Sequence, residues 1–172
     1  MDPLVIVLRL VHVVCGAVWV GMVTFATFFL QPAVQEVGPD GGKVMGAIQR
    51  RGLMTVVPLL AIATLVSGLW LYLRAAGGQH AAYARSPMGM AFGLGGLAAI
   101  VAFIIGMTVL RPSMLKAAAL GQSLGPSTGA EERQRLMAEA QRLRARAATA
   151  GRATAYLLFL SVAAMAVARY LL

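Results

Sequence analysis

Residues 4–30 read LVIVLRLVHVVCGAVWVGMVTFATFFL, and their reading decides the fold. About 20 consecutive apolar residues suffice for a helix to cross the hydrocarbon of a bilayer. This stretch is longer, and its only basic side chains are Arg9 and His12. Three further apolar segments follow, at about 53–73, 88–110 and 153–172. The pattern predicts an all-α protein: one integral membrane domain, 1–172, built as a four-helix bundle. Composition agrees. With 59% hydrophobic and only 12% charged residues, the chain lacks the polar surface that a water-soluble domain of this length needs.

The first segment is expected to stay in place as a membrane helix. It has no basic n-region, and its apolar run is far longer than the h-region of a signal peptide. Asp2 is placed to cap it, with Pro3 at the first helical position. The helix is predicted to run past Pro32 toward Gly38-Pro39. A second helix is predicted from near Asp40 through the crossing at 53–73, kinked at Pro58. Arg111-Pro112 marks the far end of the third crossing. Gly121 to Gly129 reads as a loop. Thr128 and Glu131 form a capping-box pattern. Leu136, Ala140, Leu143 and Ala147 then recur at helical spacing among Arg and Glu residues. That predicts an amphipathic helix over about 129–151 running into the fourth crossing, with Glu131–Arg135 and Glu139–Arg142 in the favourable acid-first order.

The net charge is +9, and its placement carries the information. Eight of the fifteen Lys and Arg residues lie between Arg111 and Arg152, and Lys43, Arg50 and Arg51 lie in the first connection. The other side has Arg74, Arg85 and Arg169, with Arg9 inside a crossing. Lys/Arg-rich connections stay cytoplasmic. Both termini are therefore expected outside, with long helices projecting on the cytoplasmic side. The basic excess suits an anionic lipid surface, and no aromatic-basic interleaving points to nucleic acid. Cys15 is the only cysteine, so the chain forms no internal disulfide. Paired carboxylates, catalytic triads, phosphate loops and zinc-protease motifs are absent from the sequence, which leaves hydrolytic and phosphoryl chemistry without support. Gly95, Ala99, Ala102 and Gly106 make a small-residue stripe on the third helix. Such stripes let helices approach closely in lipid, within one chain or in a homo-oligomer.

His12 is the residue to explain, because an ionisable group kept inside a crossing is a functional candidate. Gly16 and Trp19 share its face, and Arg9 is one turn away. Gly16 leaves space beside an imidazole, which ligates haem iron, copper or zinc. Arg9, and Arg169 at a similar outer depth, suit an anionic group such as a haem propionate or a lipid phosphate. Two readings of the set His12, Arg9, Gly16, Trp19 and Arg169 stay open. It binds a cofactor, or His12 simply hydrogen-bonds a neighbouring helix. His12, His80, Met88 and Met90 together offer imidazole and soft sulfur ligands, which makes copper the alternative metal.

Leu8-Arg9-Leu10-Val11-His12 through Trp19-Val20-Gly21 resembles the opening helix of the CopD-like bacterial membrane proteins and their uncharacterised relatives. More distantly, it resembles that of the HemJ-type protoporphyrinogen oxidases. Gln49-Arg50-Arg51 leading to Ser67-Gly68-Leu69-Trp70 is similar to their basic entry and Ser/Thr-Gly-Leu exit, and Ala166-Val167-Ala168-Arg169-Tyr170 resembles the end of uncharacterised members. The resemblance implies a four-helix bundle in the bacterial inner membrane, with His12 matching a histidine associated with haem b. The HemJ pattern also has an intramembrane lysine and an Asn-Glu-Xaa-Pro run. This chain has neither, so the resemblance does not extend to protoporphyrinogen oxidation. The expectation from sequence is a small membrane protein holding a haem-like tetrapyrrole within the bundle. The alternatives are copper handling, or an assembly or transport subunit with a structural histidine.

Overall fold

The computed structural model describes residues 2–123 and 129–171, and every element in them is helical. Besides a short 3-10 turn at Gly38–Asp40, these are in chain order α1 (Pro3–Glu36), α2 (Gly41–Arg50), α3 (Leu53–Ala75), α4 (His80–Arg85), α5 (Pro87–Gln122) and α6 (Ala130–Ala168). Of these, α1, α3, α5 and α6 are long and apolar enough to cross a membrane.

The helix starts follow from local chemistry. The Asp2 carboxylate accepts the Leu4 N–H at 3.0 Å, with Pro3 at the first helical position. It also pairs with Arg74 in the last turn of α3, so one side chain caps α1 and ties it to its neighbour. α5 begins the same way: Ser86 Oγ accepts the Gly89 N–H at 3.0 Å, with Pro87 at the first position.

Prolines do not end these helices. α1 continues through Pro32, and α5 through Pro112. A π turn precedes each, at Ala26–Leu30 and Gly106–Leu110. There the Gln31 N–H bonds the Ala26 carbonyl, and the Arg111 N–H bonds the Gly106 carbonyl, each five residues back. Proline offers no N–H and crowds the carbonyl four residues before it. A widened turn relieves that crowding. The helix therefore continues past Arg111-Pro112, and Gly121 and Gln122 are still helical. The helix expected to run unbroken from Asp40 to Leu73 is instead two, α2 and α3. Gly52 separates them at φ +86°, a left-handed conformation that glycine adopts without steric cost.

α6 is a single helix of 39 residues. Its amphipathic first part runs into its apolar second part without a break, as the periodicity predicts. Thr128 lies outside the described residues, and Gly129 holds the cap position. Arg135 meets Glu132 at 3.7 Å rather than Glu131.

α1 packs along α3 and α5 along α6, and contacts of α3 with α5 and of α1 with α6 join the two pairs. On α6, Ala140, Ala147, Thr154, Ser161 and Ala168 are buried at every seventh position, with Gly151 and Leu158 falling four after Ala147 and Thr154. This is the alternation of a coiled-coil seam, made of small residues so that backbones can approach. α5 answers with Ala91, Gly95, Ala98 and Ala102 in the same alternation. A Cβ on Gly95 would sit 3.1 Å from the Ser161 carbonyl oxygen. Further along, Ser113 and Ala117 are the buried residues, each one place later than an unbroken alternation would put them. The extra residue of the π turn supplies that shift. The core joins Trp19, Val23, Ala61, Ala99, Ala102, Ala155 and Leu158. The outward faces are also apolar: Leu10, Val13, Phe29, Leu69, Leu94 and Leu160 are each at least 60% exposed.

Candidate functional site at His12

α3 builds a notch for His12. Thr64 turns its hydroxyl back onto the Leu60 carbonyl at 2.8 Å, and Ser67 Oγ donates to the Ala63 carbonyl at 2.6 Å. Gly68 follows with no side chain. A Cβ there would lie 2.6 Å from His12 Cε1 and 2.9 Å from Nδ1, so the ring occupies the place of the missing side chain. In that notch Nδ1 is 2.9 Å from the Thr64 carbonyl oxygen. A carbonyl only accepts, so Nδ1 carries a proton, and the tautomer with that single proton has its lone pair on Nε2. Nε2 has no hydrogen-bond partner among the described residues and is not sealed from the surface; Gln49 Nε2 is the buried side-chain atom without a partner there.

The other expected site residues are arranged differently. The space beside Gly16 holds Thr64: a Cβ on Gly16 would be 3.2 Å from Thr64 Cγ2. Trp19 is 3% exposed and belongs to the core. Arg9 and Arg169 are exposed and have no ion-pair partner among the described residues. His80 opens α4 and is exposed, Met90 is exposed and Met88 half-buried. Among the described residues, no three or more His, Cys, Asp or Glu side chains gather where they would hold a metal ion. Trp70 faces outward and lines a shallow depression with Leu73 and Arg74.

Near His80, the Tyr72 and Tyr83 rings meet edge to face, centroids 5.3 Å apart. Burial, and secondarily the neighbouring Tyr72, raise the Tyr83 hydroxyl above the ordinary tyrosine range. The Tyr83 hydroxyl therefore keeps its proton at physiological pH, and the two rings serve as packing between α3 and α4.

Sequence reasoning missed a cavity of about 110 Å³ toward the opposite ends of the helices. Trp19, Ala61 and Ala102 line its deep end, and Gln31, Leu53 and Arg111 its other end. Arg111 Nε donates to the Met54 carbonyl at 3.3 Å. That carbonyl is four residues before Pro58, which has no N–H to offer it. The signal was present in the chain as Leu30-Gln31-Pro32 and Leu110-Arg111-Pro112, two similar tripeptides that each begin on the last residue of a π turn.

No protein-family model, no curated protein and no solved structure matches this chain. Its functional reading therefore rests on these side chains and their geometry.

Proposed function

We propose that the chain is a multi-pass protein of the bacterial inner membrane, a four-helix bundle with both termini outside, which binds haem b or a similar tetrapyrrole through His12 Nε2. One observation carries this: the 2.9 Å bond from Nδ1 to the Thr64 carbonyl. Axial histidines are oriented this way, with one ring nitrogen donating to a carbonyl and the other free for the metal. Thr64 and Gly68 occupy the inner side of the ring. The group would thus lie against the outer surface of the α1–α3 pair rather than in the bundle interior. Arg9, three residues before His12 and exposed, would meet a propionate. Bound there, haem would supply one-electron chemistry.

The notch itself supports a second reading, in which His12 only fastens α1 to α3. Soret absorbance per protein after haem reconstitution separates the two. The expected result is uptake by wild type and His80→Ala and loss or shift of the spectrum in His12→Ala, with Arg9→Ala weakening retention. A detergent melt of each variant shows whether it still folds. If wild type takes up no haem, or His12→Ala keeps an unaltered spectrum, the structural reading stands. Copper analysis of the same samples tests the set His12, His80, Met88 and Met90.

A further inference from the structure

The Arg111 cavity has three properties that belong together. First, the departures from regular α-helix on three helices converge on it. Ala26, Thr27 and Leu30 of the first π turn line it, as do Gly106, Met107 and Leu110 of the second, and so does Pro58 of α3. π turns recur at functional sites because they open a helix locally and re-aim its side chains.

Second, the cavity is narrow and long. Its lining extends from Ala102 to Met114 on α5, about 18 Å at 1.5 Å per residue. Its volume is only about 110 Å³. A cavity of about 150 Å³ holds one benzene. A macrocycle does not fit; an extended alkyl tail matches the length of the lining and is accommodated as the methionines along it move aside. Met22, Met45, Met54, Met107 and Met114 line it, flexible side chains that mould to such a tail.

Third, the apolar lining carries one cation. Arg111 is half-buried, and its Nε is spent on the Met54 carbonyl. Its two terminal nitrogens have no ion pair and no hydrogen bond among the described residues. With Nε engaged, the guanidinium is held with its Nη pair free, the fork that a carboxylate engages with both oxygens. Gln31 stands at the same end of the cavity with a second polar group.

We infer that this cavity binds a single-chain anionic amphiphile of the fatty-acid class, its carboxylate on Arg111 and its tail directed toward Trp19. This does not depend on the His12 reading, since none of the His12 site except Trp19 lines the cavity.

Bromine quenching of tryptophan tests it. The chain has two tryptophans, so Trp70→Phe leaves Trp19 as the sole tryptophan, excited selectively over the tyrosines at the red edge of its absorption. The probe is 12-bromododecanoate, added to this variant in nanodiscs. The expected result is saturable quenching of Trp19. The apparent Kd should rise about tenfold or more in Arg111→Gln and recover in part in Arg111→Lys, the loss expected for a charge-assisted pair. The uncharged 12-bromododecanol should bind at least about tenfold more weakly than the acid. Phosphatidylcholine brominated on its chains, as the nanodisc lipid, should quench the outward-facing Trp70 in Trp19→Phe more than Trp19 in Trp70→Phe. Circular dichroism and a melt confirm that each variant is folded. Quenching that does not saturate, that Arg111→Gln leaves unchanged, or that the alcohol reproduces equally would overturn the proposal. So would equal or stronger quenching of Trp19 by the brominated phospholipid.

Discussion

At the scale of single residues, glycines facing side chains decide how closely α1 and α3 approach. His12 sits where a Gly68 side chain would be. Gly68→Ala must push the imidazole off the Thr64 carbonyl, because a Cβ 2.6 Å from Cε1 has no room. Overpacking of this kind costs about 1–3 kcal/mol, and the lost interhelical bond adds roughly 0.6 kcal/mol, the usual value for one in a membrane protein. Gly21 is the control, since a Cβ there meets nothing within 4 Å. Gly21→Ala should be neutral or slightly stabilising, by up to about 1 kcal/mol, through helix propensity. Melting of both variants in detergent checks the contrast, and equal melting would remove the argument for the notch. The sequence marked His12 as an ionisable oddity inside a crossing and offered a hydrogen bond to a neighbouring helix. It did not show that Thr64 and Gly68 form the notch. Which residues face each other across two helices depends on their crossing and offset, and neither is written in the periodicity of one helix.

At the scale of elements, the sequence made the four apolar segments and the amphipathic start of α6 readable, because hydrophobic length and 3.6-residue spacing are local properties. It did not show that α5 continues past Arg111-Pro112, where a proline that ordinarily stops a helix is absorbed by a π turn. It misled near Gly52, where a left-handed glycine splits a predicted helix. The π turn in α5 has a testable consequence. Its extra residue moves the α6-facing stripe one place, from the phase of Ala91, Gly95, Ala98 and Ala102 to that of Ser113 and Ala117. Deleting the exposed Thr108 should convert the π turn toward regular α-helix and leave both halves of the stripe facing α6. Deleting Val101, in regular helix, should rotate Ser113 and Ala117 away from α6 by about 100°, the angle per residue. The Thr108 deletion is expected to yield monodisperse protein melting within a few degrees of wild type, and the Val101 deletion to yield aggregated or poorly expressed protein. Gel filtration and the melt distinguish them. If both deletions fail alike, the extra residue is not what sets the phase.

At the scale of the whole molecule, the proposed topology follows from joining the charge pattern to the helix ends. α3, with 23 residues, is about 35 Å long, close to the thickness of a hydrocarbon core. α1, α5 and α6, with 34, 36 and 39 residues, are each about 50 Å or more. The excess lies at one end. Arg111 touches Met54 near the start of α3, and Gly151 of α6 lies beside Thr27 and Leu110. Residues 31–36, 112–122 and 130–150 therefore extend beyond the same end of α3. Arg50, Arg51, Arg111, Lys116 and the arginines of early α6 sit at or beyond that end. At the other end Asp2 meets Arg74, and α6 passes Ser161, beside Gly95, on its way to Arg169. Eleven of the fifteen Lys and Arg residues, all but Arg9, Arg74, Arg85 and Arg169, thus belong to one face, so the positive-inside preference acts on both connections in the same sense. A reporter active only outside the cytoplasm should be active when fused after Leu172 and silent when fused after Ser123. A reporter active only inside should show the reverse. Cytoplasmic activity after Leu172 would overturn the orientation, and with it the placing of His12 and Arg9 toward the outer leaflet and of Arg111 toward the inner one.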